Sequence, residues 1–174
     1  TGIIAGVKVA EILFELVDED LEVKTFFNDG DSVKNGDLIL TITGNIKSIL
    51  MAERVTLNFM QRMSGIATVT NRYVKEVEGT KTKIYDTRKT APGMRLLDKY
   101  AVKVGGGENH RMGLYDMFLI KENHVAAAGS ITKAIELCYE YRKDEELDCK
   151  IQIEVRNFEE LREFNNGESY IVKL

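Results

Sequence analysis

The sequence predicts an α/β protein in which a small α+β unit is followed by the beginning of a parallel (β/α) barrel. Three observations support this class. The first part combines helical spacing with hairpin turn signals, the part after residue 82 alternates short apolar strands with helices, and about four such strand–helix units are present. Alternation of this kind is typical of parallel pairing. Because a closed barrel needs about eight units, we expect an incomplete barrel within these 174 residues.

The first part predicts a helix, two strands and a second, longer helix. Apolar residues recur at helical spacing over 3–17, which indicates an amphipathic helix. Alternating apolar and polar residues predict a strand over 21–27 and another over 38–42, with turn signals between them. A second apolar stripe runs from Val55 to Val77. We expect Ser64-Gly65 to break or bend that helix.

The second part predicts strands and helices in alternation. The expected strands are 84–85, 117–120, 151–155 and 170–174, and the expected helices are 94–104, 131–141 and 158–164. The strands are short apolar runs, as in buried parallel sheets. The last strand has no helix after it, so the barrel is expected to be cut off.

Composition excludes several classes of protein. Hydrophobic residues make up 44% and charged residues 30% of the chain, which is typical of globular proteins. No apolar run reaches the ~18 residues of a membrane helix, and the opening stretch lacks the basic segment of a signal peptide. Cys138 and Cys149 are too few for a disulfide framework. We therefore expect a cytoplasmic protein that binds no membrane.

Positive charge is concentrated in one region of an acidic chain. Residues 81–124 contain nine Lys or Arg against five Asp or Glu, although the net charge of the whole chain is −4. This pattern argues against nucleic-acid binding, which requires a broad basic face. Charges of one sign in a cleft concentrate an oppositely charged ligand, so the pattern predicts a pocket for a small, highly charged anion. Chance clustering on a solvated face explains the charge count equally well.

Charged side chains follow successive predicted strands. Arg88-Lys89 follows the strand at 84–85, His110-Arg111 follows the glycines at 105–107, Lys121 follows the strand at 117–120, and Glu154 ends the apolar run from residue 151. The carboxyl ends of parallel strands meet at one edge, so these groups are expected to share one mouth. Arg binds carboxylates as a fork and Lys binds phosphates. A lone Glu can contact Mg²⁺ when phosphate oxygens supply other ligands.

Each of these features also has a purely structural explanation. Arg88 and Lys89 alone are as expected on a solvated loop, and Glu154 can pair with Arg156 on the surface. The three glycines match neither the dinucleotide fingerprint nor the P-loop. His110 and His124 can be satisfied by hydrogen bonds, and the histidines and cysteines are not spaced as a zinc site.

A carrier-protein hairpin is a weaker alternative for the first part. The turn-rich string at 28–37 occurs loosely in biotinyl and lipoyl carrier modules. Such modules need an exposed lysine on a tight turn between matching half-sheets. Lys47 comes too late for that turn and has no symmetrical second half after it. Shared hairpin chemistry explains the similarity better.

Several strings, in order, resemble one known family. They are AERVTLNFMQRMSGIAT at 52–68, DTRKTAPGMR at 86–95, GGGENHR at 105–111, IKENH at 120–124 and IEV at 153–155. The sequence resembles the quinolinate phosphoribosyltransferases (nicotinate-nucleotide pyrophosphorylases, carboxylating) from Gly6 to its last residue. The resemblance implies an N-terminal α+β open sandwich over 1–65 with a linking helix, followed by an incomplete, truncated (β/α) barrel over 66–174. It also implies a pentosyltransferase reaction of NAD biosynthesis, which joins quinolinate to phosphoribosyl pyrophosphate and releases pyrophosphate and CO₂, with Mg²⁺.

The resemblance implies a binding site for the quinolinate carboxylates. Arg88, Arg111 and Lys121 are the residues expected to bind them, with Thr87 and His110 beside them. Quinolinate is a dianion, so a basic pocket in an acidic protein is chemically consistent with this role.

Further roles follow from the same resemblance. Lys89 is expected to contact phosphoribosyl pyrophosphate, and Glu154 to supply one carboxylate of the ribose and Mg²⁺ site. Lys89, Lys121 and Glu154 are the expected catalytic residues. Arg54 is similar to the arginine that reaches into the neighbouring subunit's pocket, so a homodimer is expected.

Departures from the family pattern concern the ends of the sequence. Family members have a segment before the position of Thr1 and continue after Leu174 with an Asp-Asn pair and later phosphate-binding loops. The resemblance therefore implies about the middle 60% of such an enzyme, and 174 residues alone are expected to be inactive. Two alternatives stay open: a paralogue associated with molybdate uptake, and a non-catalytic anion-binding protein.

Overall fold

The computed structural model describes residues 1–163 and 171–173. The chain divides into two compact units, Thr1–His110 and Arg111–Leu174. The mixed α/β class with small sheets confirms the class expected from the sequence. Within the described residues, every helix is too short or too polar to serve as a membrane span.

The first unit begins with a short strand and a helix. β1 (Gly2–Ile3) pairs antiparallel with β3 (Ser32–Val33). α1 spans Val7–Val17, so the helix predicted over 3–17 starts four residues later than expected. Gly6 at its N-cap has a φ of 95°, a left-handed conformation that glycine adopts without steric cost. This glycine separates the strand from the helix.

A second antiparallel strand pair packs against a buried cluster of the first unit. β2 (Glu22–Thr25) pairs with β4 (Leu40–Thr43), and Val23 lies opposite Ile42. Both strands are shorter than the predicted runs. The inward side chains of this pair contact a buried cluster of Phe14, Leu21 and Ala52.

The longest element of the described residues is α2 (Ile46–Glu76), with 31 residues. The Asn45 side chain caps it by accepting a hydrogen bond from the Lys47 backbone N–H at 2.9 Å. Residues at helical spacing are buried along one side: Ala52, Thr56, Met60, Met63, Ala67 and Thr70. Because Lys47 lies in the first turn of a helix and not on a hairpin turn, the carrier alternative has no support.

The predicted break at Ser64-Gly65 is wrong, because α2 continues through both residues. Ser64 Oγ accepts from the Ala5 N–H at 3.0 Å and donates to the Ala5 carbonyl at 3.1 Å. Thr68 Oγ1 likewise accepts from the Ile3 N–H at 2.9 Å and donates to the Ile3 carbonyl at 3.4 Å. These hydroxyls bind a distant backbone segment and so do not compete for the helix's own hydrogen bonds.

The third helix of this unit lies against α2. α3 (Arg95–Val104) begins one residue later than predicted. The strand predicted at 84–85 is reduced to an isolated parallel bridge between Tyr85 and Glu108. The Glu108 N–H donates to the Ile84 carbonyl at 2.7 Å, and the Asp86 N–H donates to the Glu108 carbonyl at 3.1 Å. This bridge holds the start of residues 86–91, called here the 86–91 loop, beside residues 108–110.

The second unit contains a parallel sheet with helices between its strands. The described strands are β5 (Met117–Ile120), β6 (Lys150–Glu154) and β7 (Ile171–Lys173), in that spatial order. The helices are α4 (Glu122–Ala128), α5 (Ile131–Asp144) and α6 (Phe158–Glu163). Parallel pairing is confirmed for both neighbouring strand pairs. Their shared core consists of Ile120, Ile131, Ala134, Ile135, Ile151, Ile153 and Val155.

Two features of the second unit differ from the sequence-based prediction. α4 starts directly after β5, where a loop was expected, because the Lys121 N–H donates to His124 Nδ1 at 2.9 Å and begins the helix. α5 is longer than the predicted 131–141. Three terminal residues of predicted elements lie outside the described residues: 164, the last residue of the helix predicted over 158–164, and 170 and 174, the first and last residues of the strand predicted over 170–174.

A glycine permits the close approach of α3 to α2. A Cβ at Gly105 would lie 2.4 Å from the Ala67 carbonyl oxygen and 2.8 Å from Thr70 Cβ. We expect Gly105→Ala to lower the free energy of unfolding by about 1–3 kcal/mol, the usual cost of overpacking. The matched control is Gly65→Ala on the exposed side of α2, where nothing lies within 4 Å. It should be neutral or stabilise by up to ~1 kcal/mol. Urea denaturation of both variants tests this, and equal stability would contradict it.

A bidentate ion pair also joins α2 to α3. Arg62 donates to both oxygens of Asp98, from Nε at 2.8 Å and from Nη2 at 2.7 Å. The Arg62 hydrogen bonds lower the pKa of Asp98 from 3.8 against the opposing effect of burial, and the Ala91 N–H assists. A carboxyl whose pKa is lowered on folding stabilises the protein above its ordinary pKa. That stabilisation is lost as the pH falls through the folded-state value.

Arg62→Met should therefore lower the free energy of unfolding by about 2 kcal/mol near pH 7, allowing for the solvent exposure of Arg62. The loss should shrink as the pH falls, because the unpaired Asp98 of the variant takes up a proton at a higher pH than the paired Asp98 of the wild type, and its uncompensated charge is then removed. Urea denaturation at about pH 7 and about pH 3 measures it. Lys133→Met, which removes the exposed Lys133–Glu136 pair, should change stability by less than ~0.5 kcal/mol. A loss that stays constant across this pH range would disprove the assignment.

Candidate active site

A buried ion pair lies at the base of the 86–91 loop. The Lys99 ammonium, on α3, donates to Asp86 Oδ1. The side chains of Lys99 and Asp86 are only 1% and 6% exposed. Lysine is almost never fully buried without a partner, so this pair ties the start of the loop to the middle of α3.

The Asp86 carboxylate also binds residues 109–110. The His110 backbone N–H donates to Asp86 Oδ1 at 2.8 Å. The Asn109 side-chain amide, with its nitrogen toward both acceptors, donates to Asp86 Oδ2 at 2.8 Å and to the Lys99 carbonyl at 2.8 Å. One carboxylate therefore joins the loop, α3 and the segment that carries His110.

The far end of the loop is held by the neighbouring residue of α3. Asp98 Oδ2 accepts hydrogen bonds from the Ala91 backbone N–H at 3.2 Å and from Arg62 Nη2, and Asp98 Oδ1 accepts from Arg62 Nε. Asp98 is itself buried. Adjacent side chains of one helix, Asp98 and Lys99, thus hold both ends of a six-residue loop.

The middle of the loop carries the cations predicted to bind substrate. Thr87 Oγ1 accepts from the Lys89 N–H at 3.0 Å, which forms a tight turn. Thr87 and Lys89 are exposed, and Arg88 is half-buried. Among residues 1–163 and 171–173, Arg88 Nε is buried without a hydrogen-bond partner. A buried N–H without a partner is unfavourable, and a carboxylate ligand would satisfy it.

The two remaining predicted residues of the first unit differ in their surroundings. His110 is half-buried, at the segment bound by Asp86. Arg54 is exposed on α2, away from the 86–91 loop in sequence and on a different element. The structure therefore gathers Thr87, Arg88, Lys89 and His110 around the Asp86 anchor, and it leaves Arg54 on the helix surface.

Arg111 lies at the beginning of the second unit. Its Nη1 donates to the Met117 carbonyl at 3.1 Å, at the first residue of β5. Arg111 and His124 are the basic side chains lining a cavity of about 490 Å³ whose other walls are largely apolar, including Phe118 and Leu137. The hydrogen bond to Met117 fixes the arginine beside β5.

Lys121 and Glu154 lie at one edge of the parallel sheet. Ile120 of β5 pairs with Ile153 of β6 in register. The next residue of each strand, Lys121 and Glu154, therefore lies at the carboxyl end of the sheet. Lys121 is exposed, whereas Glu154 is half-buried. This edge is the place where parallel α/β proteins usually bind ligands.

Glu154 lines a second, polar cavity of about 290 Å³ in this unit. Glu122, Asn123, Arg156 and Glu160 also line it. Arg156 Nη2 lies 2.6 Å from Glu160 Oε1. The Arg156 hydrogen bonds lower the pKa of Glu160, and this carboxylate is therefore already neutralised by its partner.

Mg²⁺ binds oxygen ligands, and the candidate site offers few of them. Among the described residues, no group of three or more His, Cys, Asp or Glu is arranged to hold a metal ion. Glu154, beside Asn123, offers oxygen ligands in the polar cavity. Mg²⁺ is commonly bound by one or two carboxylates together with substrate phosphates and water. The described residues therefore fit a Mg²⁺ ion that arrives with a phosphorylated substrate, and no set among them would hold a metal without one.

Sequence reasoning missed the residues that anchor the 86–91 loop. Asp86 stands inside the recognised motif without an assigned role, and Asp98 and Lys99 read as ordinary charges on a helix. The one signal in the sequence is the position of Asp98 and Lys99 in the first turns of a short amphipathic helix, four and five residues after Met94. Burial of a lysine depends on contacts between distant elements, and charge patterning does not report such contacts.

Curated relatives match most of this chain. It is 49% identical over 162 residues to quinolinate phosphoribosyltransferase (decarboxylating) 2b, mitochondrial, of Nicotiana tabacum. It is also 49% identical over 162 residues to nicotinate-nucleotide pyrophosphorylase (carboxylating), chloroplastic, of Arabidopsis thaliana. Each match covers 93% of this chain and 46% of the relative. The chain thus spans about half the length of the curated relatives it matches.

The expected cytoplasmic location is wrong. The names of the tobacco and Arabidopsis relatives give mitochondrial and chloroplastic locations. The expectation depended on a low cysteine count, which separates reducing from oxidising surroundings. It does not distinguish one reducing compartment from another.

Solved structures and family models agree with these relatives. The nicotinate-nucleotide pyrophosphorylase of Francisella tularensis matches with a TM-score of 0.90 and 42% identity, covering 98% of this chain and 60% of that one. NadC of Streptococcus pyogenes matches with a TM-score of 0.87 and 42% identity, covering 93% and 56%. The family model for the quinolinate phosphoribosyl transferase N-terminal domain matches residues 1–64, and that for the C-terminal domain matches 66–174. Since the second model covers more than half of the sequence, the chain belongs to the quinolinate phosphoribosyl transferase family.

Proposed function

We propose that the protein containing this chain is a carboxylating nicotinate-nucleotide pyrophosphorylase, a pentosyltransferase that makes nicotinate mononucleotide for NAD biosynthesis. The observation that carries this proposal is the 86–91 loop. It combines an exposed hydroxyl and ammonium with an arginine whose buried Nε has no partner among the described residues. This set of donors suits a dicarboxylate next to a phosphorylated sugar.

The proposed reaction proceeds without a covalent enzyme intermediate. The pyridine nitrogen of quinolinate forms a bond to C1 of the ribose as the bond to pyrophosphate breaks. The 2-carboxylate then leaves as CO₂, and the electron pair of the broken bond stays on the ring beside the cationic nitrogen until a proton replaces it. Binding, orientation and neutralisation of charge are the tasks left to the protein.

Arg88, Arg111 and Lys121 are the residues we propose to bind the quinolinate carboxylates, with Thr87 and His110 beside them. An arginine fork gives two parallel hydrogen bonds to one carboxylate, which sets its orientation as well as its affinity. The half-buried position of Arg88 supports this role, since partial removal from water strengthens a charged hydrogen bond.

Lys89 and Glu154 are proposed to serve the phosphoribosyl pyrophosphate. The exposed Lys89 ammonium would neutralise charge that develops on the leaving pyrophosphate. We propose that the Glu154 carboxylate contacts the ribose and Mg²⁺. When bound with the substrate, Mg²⁺ supplies further positive charge at the phosphate oxygens.

The larger architecture is proposed on the same basis. We assign residues 1–65 to an N-terminal α+β sandwich with a linking helix and 66–174 to part of an α/β barrel. The parallel order β5-β6-β7, with helices between successive strands, supports the barrel. We also propose a homodimer in which the exposed Arg54 reaches the neighbouring subunit's site.

Removal of the Arg88 guanidinium tests the substrate class. In the whole protein, Arg88→Ala should weaken binding of phthalate, an unreactive mimic of quinolinate, by about 10- to 150-fold, the equivalent of one charge-assisted hydrogen bond. Arg88→Lys should recover affinity in part, because it keeps the charge and loses the fork. Arg72→Ala, an exposed arginine of α2, is the control and should bind normally. Calorimetry measures the affinities, and normal binding by Arg88→Ala would remove the proposal.

Mixed dimers test the role of Arg54. Arg54→Ala and Lys121→Ala should each abolish most turnover of the whole protein, because each site would lack one cation. Co-expression of the two variants should restore about a quarter of wild-type activity, since half of the random dimers contain one intact site. Pyrophosphate release measures the recovery. A lack of recovery, together with dimers of normal size, would show that Arg54 does not act across subunits.

A further inference from the structure

We propose that the buried Asp86–Lys99 pair is a positioning device for substrate binding, which sets the geometry of both the 86–91 loop and the His110 segment. This inference rests on the proposed function and deepens it. Neither residue is expected to touch substrate, because their side chains are 6% and 1% exposed. They are positioning residues that act through the side chains next to them.

The first step is the number of chain segments that converge on one carboxylate. Asp86 accepts from the Lys99 ammonium and from the His110 N–H, and the Asn109 amide binds its second oxygen. Thr87 follows Asp86 directly, so a small displacement of Asp86 moves the first substrate-binding side chain. The same displacement moves His110 through its backbone hydrogen bond.

The second step is the anchor at the other end of the loop. Ala91 is held by Asp98, the residue before Lys99. Both ends of the loop are therefore anchored to the same turn of α3, one through Lys99 and the other through Asp98. The helix thus sets the spacing between the two ends. A loop held at both ends keeps Arg88 in one place before substrate arrives, which lowers the ordering cost of binding.

The third step concerns the cost of the pair. Removing two charges from water is unfavourable, and replacing a buried pair by uncharged groups of similar volume is often neutral or stabilising. Stability alone therefore does not require a lysine and an aspartate here. A directional pair that also orients a backbone N–H does provide geometry that apolar groups cannot provide.

The double variant Asp86→Asn/Lys99→Met separates positioning from stability. It removes both charges at nearly constant volume, so the whole protein should keep a thermal midpoint close to that of wild type. If the pair positions the loop, kcat/KM for quinolinate should still fall by about 100-fold, the usual effect of an active-site displacement near 1 Å. The backbone amide of His110 should exchange hydrogen faster than in wild type, because its acceptor Asp86 loses its charge and its Lys99 partner. A stable double variant with wild-type kinetics and exchange would overturn the proposal.

A second variant keeps the test decisive if the double variant does not fold. Asp86→Glu keeps the charge and can keep the pair with Lys99, but it adds one methylene between the carboxylate and the loop. It should lower kcat/KM while the protein stays folded, and unchanged kinetics would overturn the proposal. The control is Lys83→Met, which removes an exposed pair with Glu108 at 2.6 Å in the same unit and should leave kinetics unchanged.

The same series distinguishes failure of this inference from failure of the proposed function. A wild-type whole protein that neither binds phthalate nor releases pyrophosphate from phosphoribosyl pyrophosphate and quinolinate would overturn both. A wild-type protein that does both, with an unaffected double variant, would overturn the positioning role alone.

Discussion

The base of the candidate site depends on the buried ion pair between Asp86 and Lys99, which lies on α3, a helix packed close to α2. Gly105 permits this approach, since a side chain there would collide with the Ala67 carbonyl. Once buried, the ammonium needs an anionic partner, and Asp86 at the start of the 86–91 loop supplies it. The buried pair therefore holds the start of the loop against α3.

The long helix α2 organises the first unit in a second way. Its Ser64 and Thr68 hydroxyls bind the backbone of Ala5 and Ile3, which have few strand partners of their own. Arg62 on the same helix binds Asp98 and so contributes to the far anchor of the loop. Polar side chains spaced along one helix thus hydrogen-bond both to the backbone of the N-terminal segment and to the Asp98 carboxylate at the base of the candidate site.

In the second unit the sheet itself positions the charged groups. Parallel register brings Lys121 and Glu154 to one edge without any bond between their side chains being required. α4 then begins at once, with the His124 ring accepting from the Lys121 N–H. His124 therefore has a structural role in the described part of the chain, because its ring caps the start of α4.

The sequence by itself determined the class of fold, the parallel pairing of the later strands, the position of Lys121 directly after a strand and, through its motifs, the family. These follow from local periodicity and from short strings, which a single chain displays directly. It did not reveal that α2 runs unbroken through Ser64-Gly65 or that 84–85 forms a bridge instead of a strand. Nor did it reveal that Lys99 is buried against Asp86. Each of these depends on a partner 13 or more residues away in the chain, and only tertiary packing decides which distant polar group a side chain will meet.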